Sequence, residues 1–319
     1  MRIVAMAAAI LLVLAAACFA VAYGLFERML TRKGIERKRK KRTKSAQTPQ
    51  EDAVSRERRA RRETLLACPH EKWTIQSADG LKLHARCIPA EKPTDRWVIG
   101  VHGYTSSGPS EFAWFFDFYR RLGCNMLLPD HRAHGESEGE YVGMGVLDNR
   151  DIRLWIDELI RRTQGNCRVV LHGVSMGAAT VTTIAGTKTP GQVRGFVADC
   201  GYTSMWDQFA YQMRVLCKLP PFPILYMADA ICRMRAGYGM RDFSPMDAVK
   251  QAEKPILFVH GGADDFVPTR MSRQLFKACT SPGKELLIVE GAVHAASYRT
   301  DPEAYERAVK ALLDRAGME

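Results

Sequence analysis

The chain opens on an apolar run, Ile3 to Phe26, of 24 residues without a charge. As a helix it would be ~36 Å long, enough to cross a ~30 Å hydrocarbon core with some tilt. A polar, Lys/Arg-rich stretch follows to about residue 66. Within it Thr48-Pro49-Gln50-Glu51 has the capping-box pattern that starts a helix, here running to about Leu66.

From about residue 68 short apolar runs alternate with amphipathic segments. Trp73–Ser77 and Leu81–Ile88 flank Asp79-Gly80, a hairpin signal. Trp97–Val101 reads as a buried strand, Ser110–Leu122 as a helix and Asn125–Leu128 as a strand. Leu147–Arg162 carries Ile152, Trp155 and Leu159 at helical spacing. Strand-like runs follow at Arg168–His172, Gly195–Ala198, Ile256–His260 and Glu285–Val289. Helical patterns follow at Met176–Gly186, Arg270–Cys279 and Pro302–Leu313. A hairpin followed by strand–helix units predicts an α/β fold, a mostly parallel sheet with helices on both faces. Residues 201–254 interrupt this rhythm with aromatics and Met, broken by Pro220-Pro221 and Pro223. A long insertion after a strand's carboxyl end is where a helical cap would sit, its apolar residues either plain cap core or an acyl pocket. The expected organisation is a transmembrane anchor (1–26), a basic stalk (27–66) and a catalytic domain (67–319) with a cap over about 201–254.

Charge sharpens the first two segments. The chain of 319 residues has 46 Lys+Arg, 35 Asp+Glu and a net charge of +11. Residues 27–63 alone hold a net +9, and the chain from residue 64 carries +1. A nearly neutral body argues against nucleic acid as a partner. Lys38 to Arg42 resembles a nuclear-localisation or RNA-binding run, a weak signal beside an apolar span. The Lys/Arg excess lies just after the span, with only Arg2 before it, which predicts a single-pass protein with its catalytic domain on the cytoplasmic side. The same charges would hold the stalk to anionic lipid, or would simply be a solvated linker. A cleaved signal peptide is the competing reading. Ala20-Val21-Ala22 fits a cleavage site, but the apolar run exceeds the usual ~7–15 residues. Leu14-Ala15-Ala16-Ala17-Cys18 looks like a lipobox, but Ala15 stands where a larger aliphatic is expected. The nine cysteines show no CxxC or metal-type spacing, and several fall in apolar runs, as buried free thiols do in a reducing compartment.

Gly173-Val174-Ser175-Met176-Gly177 is a G-x-S-x-G. Composition alone gives ~0.1 chance matches in a chain this long. Context strengthens it: a strand precedes and a helix follows. A hydroxyl is a weak nucleophile and needs a base, which needs an orienting acid. Candidates follow in the order Ser…Asp…His, each just past a strand: Asp264 or Asp265 after Ile256–His260, and His294 after Glu285–Val289. His102, His172 and His260 stand at strand ends and read as packed scaffold residues, not metal ligands.

Together with His102-Gly103-Tyr104 and Asp130-His131-Arg132-Ala133-His134-Gly135, these stretches resemble the α/β-hydrolase superfamily over about residues 70–316. The likeness is strongest to bacterial membrane-anchored hydrolases of the serine aminopeptidase-like branch. It implies Ser175 as nucleophile, Asp264 as triad acid, His294 as base, and an oxyanion hole from the backbone N–H groups of Tyr104 and Met176. It implies no cofactor and no metal. Ala133 departs from the pattern, since many relatives have Gly there. His-Gly-Tyr also replaces the Gly-rich oxyanion loop of many lipases.

The expected activity is cleavage of a carboxylic ester or thioester through an acyl-enzyme. An aminopeptidase must neutralise a substrate ammonium, and the cap's acids, Asp207, Asp229, Asp242, Asp247 and Glu253, form no cluster in sequence. An aminopeptidase-like amide hydrolase acting on short peptide-like substrates remains the alternative within hydrolases. A catalytically silent, membrane-tethered binding protein is the alternative outside them.

Overall fold

The computed structural model describes residues 1–44 and 49–318, with side chains for 1–40 and 53–318. Thr48 of the expected capping box, and Lys41 and Arg42 of the basic run, lie outside what is described at that level. Three helices come first: α1 (Arg2–Leu30), α2 (Arg32–Lys44) and α3 (Pro49–Ala67). The body continues with β1 (Glu71–Gln76), β2 (Lys82–Ile88), β3 (Arg96–Val101), α4 (Gly108–Phe112), α5 (Phe116–Arg121), β4 (Asn125–Pro129) and α6 (Asp148–Arg162). Next come β5 (Arg168–Val174), α7 (Met176–Ala185) and β6 (Val193–Asp199). The insertion forms α8 (Met205–Val215), α9 (Ile224–Ala236) and α10 (Pro245–Ala248). The chain ends with β7 (Ile256–Gly261), α11 (Arg270–Ala278), β8 (Lys284–Val289), α12 (Ser297–Thr300) and α13 (Pro302–Arg315).

Eight strands form one sheet in the order β1-β2-β4-β3-β5-β6-β7-β8. β2 pairs antiparallel with both neighbours, and every later pairing is parallel. This is the mostly parallel α/β sheet expected from the alternation of elements, and it fits the α/β-hydrolase fold that the resemblance implies. Period-two alternation divides each central strand between two cores. Trp97, Ile99, Val169 and Leu171 face one, with Trp155 of α6 and Ile184 of α7. Val98, Val170 and Val174 face the other, with Phe112, Tyr119 and Tyr305. The helix expected over Ser110–Leu122 is two short helices, because residues 113–115 turn between α4 and α5. Phe112, Trp114, Phe115 and Phe116 are all buried here, and the turn lets consecutive aromatics reach the same core.

The N-terminal segments do not stand apart from the body. α1 runs four residues past Phe26, and its exposed apolar stretch gives way at Ala22 to a docked one. Ala22, Phe26, Leu30 and Ile35 are buried in a third core shared with the cap. α1 packs along α9. Arg235 of α9 donates to the Tyr23 hydroxyl at 3.2 Å and lies 3.9 Å from Glu27. Thr31 bridges to Tyr141, and Arg32 Nε donates to the Gly139 carbonyl at 2.9 Å. α3 is seated too: Leu65 is buried in the second core, and the Arg61 guanidinium lies over Trp114. All nine cysteines are free.

Candidate active site

The sheet delivers five loops to one edge. β3, β5, β6, β7 and β8 run parallel, so the segments after Val101, Val174, Asp199, Gly261 and Val289 emerge together. Ser175 sits between β5 and α7 with φ 56° and ψ −113°, a conformation L residues rarely adopt. Close approach explains both flanking glycines. A Cβ on Gly173 would lie 2.2 Å from the Gly177 carbonyl oxygen, and one on Gly177 would lie 2.0 Å from that of Val101.

The structure brings the three expected side chains into a line. His294 Nε2 is 3.0 Å from Ser175 Oγ, and His294 Nδ1 is 2.7 Å from Asp264 Oδ2. Asp264 is buried and Asp265 is exposed, so the two neighbouring acids are distinguished by position. The N–H groups of Phe266 and Val267 donate to Asp264 Oδ1 at 3.0 and 2.9 Å. His260 Nε2 approaches Oδ2 at 3.1 Å while also donating to the Val267 carbonyl at 2.8 Å. Burial alone would raise the Asp264 carboxyl, but the bonds from His260 and His294 outweigh it and hold the group well below the usual carboxylate range. It is therefore a carboxylate aimed at the imidazole.

The residues expected to supply the backbone donors lie close to Ser175 in the fold. Met176 is the first residue of α7, where N–H groups have no intrahelical acceptor and the helix end carries partial positive charge. Gly103, which precedes Tyr104, packs against the elbow, since a Cβ there would lie 3.3 Å from Ser175 Cβ. Both Tyr104 and Met176 line the pocket into which Ser175 opens.

The histidines read as scaffold are all engaged. His102 Nε2 accepts from the His131 N–H at 2.9 Å, and its Nδ1 donates to the Gly103 carbonyl at 2.7 Å. His131 faces the buried Asp148 carboxylate at 3.3 Å, which raises the imidazole despite its burial. Ala133 has φ 61°, the left-handed region, which is the physical reason glycine suits this position. Arg132 grips Asp151 and Asp79, tying this loop to the β1–β2 turn. Cys200, Asp264 and His294 carry potential ligand atoms within 4.8 Å of one another. The Asp264–His294 bond engages two of them, and burial keeps the Cys200 thiol protonated.

Two features were not read from the sequence. The first lies beneath the elbow. The Tyr119 hydroxyl donates to His172 Nδ1 at 2.8 Å, His172 Nε2 donates to the Tyr305 hydroxyl at 3.0 Å, and Tyr305 donates to Asp199 Oδ2 at 3.0 Å. Burial pushes His172 down to about 3, which fixes it as a neutral donor–acceptor in this chain. Burial pushes Asp199 up to about 6 against the Tyr305 bond, and its Oδ1 has no partner. The Asp199 carbonyl accepts the Ser175 N–H at 2.7 Å, so the network underpins the strained turn. The second feature is Met29 of α1, which lines the pocket beside Met144, Tyr202, Phe209 and Phe266. The Tyr104 hydroxyl donates to its carbonyl at 2.9 Å, and Lys38 of α2 lies 4.9 Å over the Tyr104 ring. The spacing of Ala22, Leu25, Phe26, Met29 and Leu30 down one side of a helix was the available signal. A larger cleft of about 320 Å³ between Cys68 and Met126 contains none of these residues.

The model of the alpha/beta hydrolase family matches residues 98–308. The uncharacterized protein YqkD of Bacillus subtilis is 31% identical over 242 residues, covering 76% of this chain and 78% of that protein. An uncharacterized membrane protein of Saccharomyces cerevisiae is 26% identical over 227 residues, covering 68% and 71%. Among solved structures, a Pyrococcus furiosus esterase superposes with a TM-score of 0.66 at 24% identity, covering 79% of this chain and 93% of that one. At that identity the likeness concerns the fold.

Proposed function

The chain belongs to the alpha/beta hydrolase family, and we propose that it is a serine hydrolase cleaving carboxylic ester or thioester bonds through an acyl-enzyme. The observation that carries this reading is the Ser175–His294–Asp264 line at the floor of a predominantly apolar pocket. His294 Nε2 takes the Ser175 proton as Oγ attacks the acyl carbon. The N–H groups of Met176 and Tyr104 hold the tetrahedral oxyanion. Collapse breaks the bond to the leaving oxygen or sulfur, which takes the proton from His294. Water, deprotonated by the same imidazole, then releases the acid and restores Ser175. Asp264 stabilises the imidazolium throughout without being protonated.

The pocket lining supports an acyl ester or thioester over an aminoacyl amide. Among the described residues lining it, none carries a carboxylate that would neutralise a substrate ammonium. Four cap acids are engaged elsewhere: Asp229 and Asp242 with Arg233, Asp247 with Lys250, and Asp207 with the Thr203 hydroxyl. The test is the Ser175→Ala variant. It should lose p-nitrophenyl ester hydrolysis and labelling by a fluorophosphonate probe, and wild-type labelling of the variant would refute the assignment.

We read α1 as a retained single span. One helix, Arg2–Leu30, is long and apolar enough to cross a membrane. Its docked C-terminal part supports retention, because cleavage after Ala22 would cut an uninterrupted helix at a buried residue. The Lys/Arg excess after the span supports a cytoplasmic catalytic side. Protease protection of the body in right-side-out spheroplasts tests that orientation, and digestion there would reverse it.

A further inference from the structure

Met29 forms part of the pocket wall, and Met29 belongs to the same unbroken helix as the apolar N-terminal run. That helix is fixed to the body at several points. Phe26 and Leu30 are buried, Leu30 accepts from the Val142 N–H at 3.0 Å, and the Tyr104 hydroxyl bonds the Met29 carbonyl. α1 therefore measures how far the site stands from the bilayer. The stretch Ile3–Val21 is exposed except at Cys18, which touches the third core, and would span ~28 Å, close to one hydrocarbon core. Met29 follows eight residues later, ~12 Å along the axis. If the core instead extends to Phe26, the last residue before a charge, the distance is ~5 Å. Headgroup layers are ~5–8 Å thick on each side, so the pocket stands within or just above that layer.

The pocket chemistry agrees. The cavity beside Ser175 is about 30 Å³, space for the reacting carbonyl but not for an acyl chain. A chain would have to lie along an open apolar surface, and α1 provides one. The cap adds exposed Leu216, Leu219 and Phe222 on the connection leading into α9, the helix that α1 packs against.

We propose that the substrate of the Ser175 site is a membrane-resident amphiphile, a long-chain acyl ester or thioester whose carbonyl lies at headgroup depth, and that α1 is the spacer holding the site at that depth. This rests on the hydrolase and single-span readings above.

The experiment uses the full chain in lipid nanodiscs with two probes sharing one leaving group. 4-Methylumbelliferyl acetate reports the chemistry from solution, and 4-methylumbelliferyl palmitate dissolved in the bilayer reports access from the membrane. A variant carries about fifteen Gly/Ser residues between Val21 and Ala22, a reach of ~20 Å that frees the body from the ruler. It should keep acetate hydrolysis and lose at least ~10-fold on palmitate. Retained palmitate hydrolysis, or a wild-type protein active on acetate but silent on palmitate in its own disc, overturns the proposal. If the linker also costs acetate hydrolysis, wild-type protein in bilayers of increasing thickness gives a second reading. Palmitate turnover should then fall relative to acetate, and a constant ratio overturns the proposal. Loss of both activities together with fluorophosphonate labelling defeats the hydrolase reading itself. Failure to incorporate into discs defeats the span. Either takes this proposal with it.

Discussion

Asp199 offers a quantitative test, because its cost is written in its surroundings. The carboxyl is fully enclosed, receives one bond from Tyr305, and is pushed from 3.8 to about 6. A raised acid binds its proton more tightly folded than unfolded. The fold is therefore not penalised below about pH 3.8 and loses stability as pH rises through about 6. The full loss is about 3 kcal/mol, at 1.36 kcal/mol per unit, and roughly half of it falls between pH 5 and pH 8. Asp199→Asn keeps an oxygen for the Tyr305 hydroxyl and removes the titration. Its amide would leave a buried N–H group where Oδ1 now stands alone, a constant cost of ~1–3 kcal/mol at every pH. The readout is thus the pH dependence, not the absolute stability. Urea unfolding of both proteins in one detergent should show the variant gaining on wild type by about 1.4 kcal/mol between pH 5 and pH 7 and then levelling off towards pH 8. A stability difference that is flat with pH would mean that burial does not raise the Asp199 carboxyl, and the reasoning fails.

Further outcomes follow from the same geometry. Asp264→Asn should lower kcat by ~10³–10⁴-fold with the fold intact, while Asp265→Asn should stay within a few-fold, both measured on p-nitrophenyl esters. Gly177→Ala, whose Cβ would stand 2.0 Å from the Val101 carbonyl oxygen, should abolish the folded protein, whereas Gly191→Ala, with open space around it, should leave thermal unfolding unchanged. Phe26→Ala should destabilise by ~3–5 kcal/mol, as for a core aromatic, and a shift no larger than that of a surface substitution would show α1 undocked in solution. A chain beginning at residue 64 lacks Met29, so its KM for short esters should rise, and an unchanged KM would remove Met29 from the binding wall.

The sequence disclosed the body well, because each strand and helix there carries its own period and each chemical residue sits at a strand end. The hairpin turn at Asp79-Gly80, the elbow at Ser175 and the loops carrying Asp264 and His294 follow from local pattern, whereas the choice of Asp264 over Asp265 rests on the family resemblance. The break between α4 and α5 did not, since a continuous aromatic run looks the same whether it bends or not. Asp199 lies just past the strand-like run Gly195–Ala198 and carried no local signal, because its role depends on Tyr305, 106 residues away. Met29 was hidden differently. Hydropathy drew one boundary at the first charge, but α1 changes partner from open surface to protein at Ala22, inside the apolar run.

That docked helix also sets a timetable for synthesis. Tyr23 must wait for Arg235, its partner 212 residues later, which at ~5–20 residues per second is ~10–40 s after the helix has formed. Throughout that interval Phe26 and Leu30 have no cap to cover them. The nascent chain thus holds one of its most distant contacts open throughout that interval. The seam stays uncovered until α9 is made, and errors of assembly should concentrate there.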